Sequence, residues 1–151
     1  ICAALQLSTD KKQFLLTSSI GINSDSLQKT ELVNAINTQE GYALSSDETV
    51  LVNDLDNETR FSGSILVNDQ NITSGISIVI KDHQTNWGVL SVYTEEKRTF
   101  AQEDINFIQV LTNCLGDAIQ RQTFMQALEA SETKFNQLTN HIEDMLSVIL
   151  S

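Results

Sequence analysis

Proline is absent from the 151 residues, where ordinary usage of ~5% would supply about seven. That absence excludes Pro-rich linkers and cis-Pro turns. Cysteine occurs only at Cys2 and Cys114. A disulfide-stapled miniprotein is therefore excluded, and two unpatterned thiols without a signal peptide suit a reducing cytosol, as small apolar packing residues and not as a bridge. Positive charge is scarce: nine Lys and Arg stand against 20 Asp and Glu, for a net charge of −11. A surface that acidic repels phosphate backbones, so no nucleic acid partner is expected. No apolar run approaches the ~18 residues of a membrane span, and the segment is expected to be cytoplasmic with no membrane contact. G-x-S-x-G, P-loop, G-x-G-x-x-G and H-E-x-x-H motifs are all missing, so hydrolysis, nucleotide chemistry and zincin chemistry lose their usual anchors and no catalytic residue is assigned.

What is present is a globular composition, 40% hydrophobic and 19% charged, in a chain long enough to bury roughly 68–70% of its unfolded surface. Apolar residues at Ile1, Ala3, Leu5 and Leu7 alternate as in a half-buried strand. The polar Ser8 to Lys12 turn and the apolar Phe14-Leu15-Leu16 predict an antiparallel hairpin. Leu32, Val33 and Ile36, after Thr30, have helix-face spacing, with Gly41 as the expected C-cap. Strand signals return at Val50 to Val52, Ile76 to Ile80 and Trp87 to Tyr93, the last two joined by the polar Lys81 to Asn86. A long helix is predicted past Thr99, which with Gln102 has capping-box spacing, and Glu103 and Asp104 suit its positive end. The helix carries Ile105, Ile108, Leu111, Leu115, Ala118, Ile119 and Met125 at three- and four-residue steps. Neither Gly nor Pro occurs from 117 to 151. Met125 to Leu128 is a three-residue step where the seam asks for four, which suggests a junction near 125–133. Antiparallel strands with a helix layer make the expected class α+β.

Val50-Leu51-Val52-Asn53-Asp54, then Asp56 to Phe61, the Ile76 to Ile80 strand, Trp87-Gly88-Val89-Leu90-Ser91-Val92, Phe100-Ala101-Gln102-Glu103-Asp104, and a helix with Leu111 and Ala118-Ile119 resemble, in this order and spacing, a GAF domain. The resemblance implies a central antiparallel sheet with helices packed on it and a long C-terminal helix. It covers residues 1–122, without the family's leading helix, so the chain reads as a segment of a longer protein. Ser131-Glu132, Phe135, Leu138, Ile142 and Val148 resemble the opening of a PAS domain, so 123–151 reads as a signalling helix or linker and a truncated PAS-like start. Together these imply a non-catalytic sensory and relay module of a bacterial signal-transduction protein, foremost a two-component sensor histidine kinase. One alternative is the regulatory domain of a cyclic-dinucleotide cyclase or phosphodiesterase. Another is an enzyme like the free methionine sulfoxide reductases of the family, whose dithiol chemistry Cys2 on a strand and Cys114 in mid-helix do not suit.

No cofactor is expected. Bilin-binding members of the family carry a Cys followed by His, whereas Ala3 follows Cys2 and Leu115 follows Cys114; the Asn-Lys step of cyclic-nucleotide binders is missing. His83, in a predicted hairpin tip, and His141, in the tail, lack the pocket a haem ligand needs, and His141 lacks the His-Glu pattern of a kinase phosphoacceptor. Asp54-x-Asp56-x-Glu58 begins like a calcium loop, but Thr59 stands where Gly is required, so no metal is assigned; Asp54 with Arg60 is instead read as a structural pair. Trp87 and the aliphatic strands are read as core, with a small-molecule ligand left unidentified. The stripe Ile108, Leu111, Leu115, Ala118, Gln122, Met125 runs beyond what one domain consumes, predicting a homodimer with Leu115, Gln122, Met125 and Leu128 near the axis.

Overall fold

Alternation in the sequence becomes one antiparallel sheet in a computed structural model that describes residues 1–22, 33–34, 37–63, 71–83 and 85–151. The strands are β1 (Cys2–Leu7), β2 (Gln13–Ile20), β3 (Val33–Asn34), β4 (Val50–Val52), β5 (Ser74–Asp82) and β6 (Thr85–Thr94). They lie in the order β3-β2-β1-β6-β5-β4. The expected hairpins β1–β2 and β5–β6 both form, and β1 closes the sheet by pairing with β6, Leu5 opposite Val89. Leu5, Phe14 and Val89 cluster at the centre, each at most 1% exposed. This is the α+β architecture expected.

The sheet is covered on both faces. Helix α1 (Gln39–Ser46) brings Ala43 into a cluster with Val50, Val52, Phe61 and Val79. Side chains alternate across a strand, so Ile76, Ile78 and Ile80 face away from Ser77 and Val79, and all three are buried. On helix α2 (Gln102–Leu150) the buried residues Ile108, Thr112 and Gly116 recur every four residues, one stripe turned to the sheet. Gly116 lies so close to β5 that an added Cβ would stand 2.3 Å from the Lys81 carbonyl oxygen. The chain divides into two compact units, Ile1–Gly116 and Asp117–Ser151. The second is α2 as far as Leu150, with no interruption at 125–133 and with Val148 helical. Among the described residues no helix is long and apolar enough to cross a membrane.

Three local expectations are corrected. The helix read near Thr30 to Ile36 lies later: Val33 and Asn34 are strand, and Gly41 is in the first turn of α1, its N–H donating to the Thr38 hydroxyl that caps the helix. Asp47, in the left-handed region at φ 55°, is the C-cap; Thr30, Leu32 and Ile36 fall outside the described residues. Lys81, Asp82, Thr85 and Asn86 are paired strand residues and not a loop, so the β5–β6 turn is tight, with His83 at φ 55°. Thr99 is not the cap of α2. The Asp104 carboxylate accepts from the Ala101 N–H at 3.0 Å and from Arg98 at 2.9 Å, tying the first turn to the segment before it.

Candidate functional site

Helix α1 carries polar residues onto the sheet. Its entry is fixed by Asn37, in the left-handed region at φ 65°, whose carbonyl accepts from the Ser62 N–H, and by the Gln39 N–H donating to the Gly63 carbonyl. This places Gln39 and Glu40, both 0% exposed, over β5 and β6. Gln39 Nε2 donates to Ser77 Oγ at 3.0 Å, Ser77 and Ser91 share a 2.7 Å hydroxyl contact, and the Tyr93 hydroxyl donates to Glu40. Gly75 is required beneath this cluster, since a Cβ there would come within 2.5 Å of the Tyr93 ring. Among the described residues the buried Gln39 Oε1 has no hydrogen-bond partner. An acceptor left so costs about 1–3 kcal/mol, which favours an incoming donor. None of these five residues was singled out from the sequence. The available signal was Ser77 and Ser91, each interrupting an apolar strand at a core-facing position.

On the flank of α1 lies a recess of ≈ 500 Å³ bordered by Lys11 and Lys12 of the β1–β2 turn, Tyr42 and Leu44 of α1, and Arg60 and Phe61. Arg60 does not pair with Asp54 as expected. It forms a two-pronged contact with Glu58, at 3.0 and 2.7 Å, donates to the Leu51 carbonyl at 2.7 Å, and lies 5.5 Å from the Tyr42 and Phe61 ring centroids. The Arg60 bond holds the Glu58 carboxyl at about 2. A depressed carboxylate stabilises the fold above its unfolded value of ~4.3 and ceases to do so as pH falls toward 2. Asp54 instead pairs with Lys97 and accepts from Asn57 and the Asp56 N–H, and Lys97 foremost draws its carboxyl below the usual range. Two of the three carboxylates of the calcium-like stretch, Asp54 and Glu58, are thus engaged by cations and amides. Among the described residues no three His, Cys, Asp or Glu are grouped to hold a metal.

Both cysteines are free. Cys2 is half-buried, and burial pushes its thiol up; Cys114 is exposed on α2, so it is not the packing residue expected. His83 and His141 are exposed, and Trp87 is half-buried on β6, outside the border of the flank recess.

Of the interface candidates, Leu115 is 37% exposed, Met125 60% and Leu128 52%, and Gln122 is exposed as well. Ile108 leaves the expected stripe, being 7% exposed and turned to its own sheet. Beyond Leu128, the exposed Phe135, Leu138, Ile142 and Met145 continue the three-four spacing.

A family model described as GAF domain matches residues 3–119. No curated relative matches the chain. Among solved structures, the chain is similar to the GAF domain of a phosphoenolpyruvate-protein phosphotransferase (ptsP) from Coxiella burnetii, at 17% identity over 83% of this chain and 74% of that one, with a TM-score of 0.72. It is similar to the GAF domain of a two-component sensor histidine kinase from Bacillus halodurans, at 18% identity over 82% of each chain and a TM-score of 0.62. It is also similar to the type II free methionine-R-sulfoxide reductase of Thermoplasma acidophilum, at 13% identity over 80% of this chain and 78% of that one, with a TM-score of 0.64. These likenesses concern the fold. With the family match extending across the sheet, α1 and the sheet-covering turns of α2, the chain belongs to the GAF domain family.

Proposed function

We propose that this GAF domain is a non-catalytic sensory and relay module of a cytoplasmic signal-transduction protein, a two-component sensor histidine kinase, acting as a homodimer. Residues 1–122 sense, and 123–151 form a signalling helix leading toward a PAS-like domain. The observation that carries the reading is the unit Asp117–Ser151, a helix with Phe124, Met125, Leu128, Phe135, Leu138 and Ile142 each more than half exposed. A lone helix owes little of its stability to propensity and most to burial of an apolar face. A second copy presents the same stripe and covers it by coiled-coil packing.

The sheet supplies the sensing end. The polar contacts of Gln39, Glu40, Ser77, Ser91 and Tyr93 hold α1 on β5 and β6, and α2 rests on β5 where Gly116 meets the Lys81 backbone. A ligand that displaces α1 shifts strands against which α2 is seated. The sulfoxide-reductase alternative needs an attacking thiolate, and the raised Cys2 thiol disfavours one. Light scattering at high micromolar concentration is expected to return twice the monomer mass; a monomer would refute the relay as proposed.

A further inference from the structure

We propose that the recess on the flank of α1 binds an aromatic carboxylate. The proposal names a ligand class for the sensory reading above and rests on that reading only for its biological use.

The recess, ≈ 500 Å³, falls within the roughly 300–1,000 Å³ range of small-molecule sites. One wall is aromatic and apolar: the Tyr42 and Phe61 rings stand 5.7 Å apart, tilted at 49°, with Leu44 beside them. Arg60 backs this wall, but its Nε and Nη2 donors are taken by Glu58 and the Leu51 carbonyl. It therefore offers a stacking surface and no free fork for an anion.

The free charge comes from the β1–β2 turn. Lys11 and Lys12, two of the nine basic residues in a chain of net charge −11, both border this recess. The turn that carries the lysines is fixed by its own bonds: Ser8 N–H to the Gln13 carbonyl and Lys11 N–H to the Ser8 carbonyl, both 2.9 Å, and Lys12 N–H to Asp10 at 3.0 Å. Lys11 takes the left-handed conformation, φ 58°. Among the described residues neither ammonium is in an ion pair, although Asp10 offsets part of the Lys12 charge.

An occupant matching both sides has a planar apolar body and one negative charge. A phosphate dianion fits less well. The free end of α1 is already capped by Thr38, Arg60 has no fork to give, and the acidic surface repels each added negative charge. A carboxylate asks only for the lysines.

Isothermal titration of the 151-residue chain with indole-3-acetate, its neutral analogue indole-3-acetamide, and adenosine 5′-monophosphate tests this. The acid is expected to saturate one site per chain and to bind at least tenfold more tightly than the amide. Lys11→Gln with Lys12→Gln, both exposed positions, is expected to reduce the acid to the level of the amide and leave the amide unchanged. Equal binding of acid and amide, indifference to the lysine substitutions, or no binding in the millimolar range would overturn the proposal. Tighter binding of the monophosphate would overturn the choice of a carboxylate. Light scattering on the same samples separates the two readings: a dimer that fails to bind refutes this ligand class alone, and a monomer that binds refutes the relay alone.

Discussion

Met125→Glu combined with Leu128→Glu is expected to convert the protein to a monomer at concentrations where the parent chain is a dimer, with the circular dichroism of the sheet unchanged. Both side chains are more than half exposed in the single chain, at 60% and 52%. Glutamate there costs the monomer little, since it is a good helix former on a solvated surface. At a dimer axis the same change places four unpaired like charges together, and an uncompensated buried charge costs about 3–5 kcal/mol. One such penalty alone weakens association more than a hundredfold. Met125→Leu with Leu128→Ile should preserve the dimer. If the glutamate variant stays dimeric by light scattering, the interface lies elsewhere.

The second large effect belongs to the sheet. Gly88→Ala is expected to destabilise the fold by about 3 kcal/mol, at the upper end for overpacking, lowering Tm by roughly 6–12 °C at 2–4 °C per kcal/mol. An alanine Cβ at this site would stand 2.0 Å from the Leu5 carbonyl oxygen and 3.0 Å from Gln6 Cα. Both neighbours are backbone, so no rotamer change relieves the clash. β1 must move away from β6, and that movement parts Leu5 from Val89 in the central cluster. A thermal melt within 1 °C of the parent would show that the two strands do not approach so closely.

Much of this was legible because the sheet obeys simple alternation. Ala3 and Leu5 are buried where a period of two puts them, and the two hairpins follow from polar turns between apolar runs. Helix α1 was not legible where it lies, because its sheet-facing side is largely polar. Gln39 and Glu40 are fully buried and Ala43 is the one buried apolar residue, so it carries no apolar period to read. Leu32, Val33 and Ile36 have helix-face spacing upstream, where Val33 lies in strand β3. Side-chain partners were hidden by distance or proximity. Lys97 meets Asp54 across 43 positions, and Arg60 turns to Glu58 only two residues away. The long helix was readable in type and start, but not in which of its stripes meets the sheet: Ile108 does, with Thr112 and Gly116, which leaves Leu111 and Leu115 outward.

The central claim is that two copies pair along α2 with Leu115, Gln122, Met125 and Leu128 of both at one axis. At equal heights this requires parallel helices, and a spin-label distance at Cys114 tests it most directly. Cys114 is exposed on the helix, and Cys2→Ser leaves one label per chain. Parallel pairing brings the two labels to one level, separated by a helix spacing of about 10 Å plus the label arms. Antiparallel pairing centred midway between Met125 and Leu128 would instead separate them along the axis by about 37 Å. The account predicts a single short distance; a separation near the antiparallel value, or no dipolar coupling at all, would contradict it.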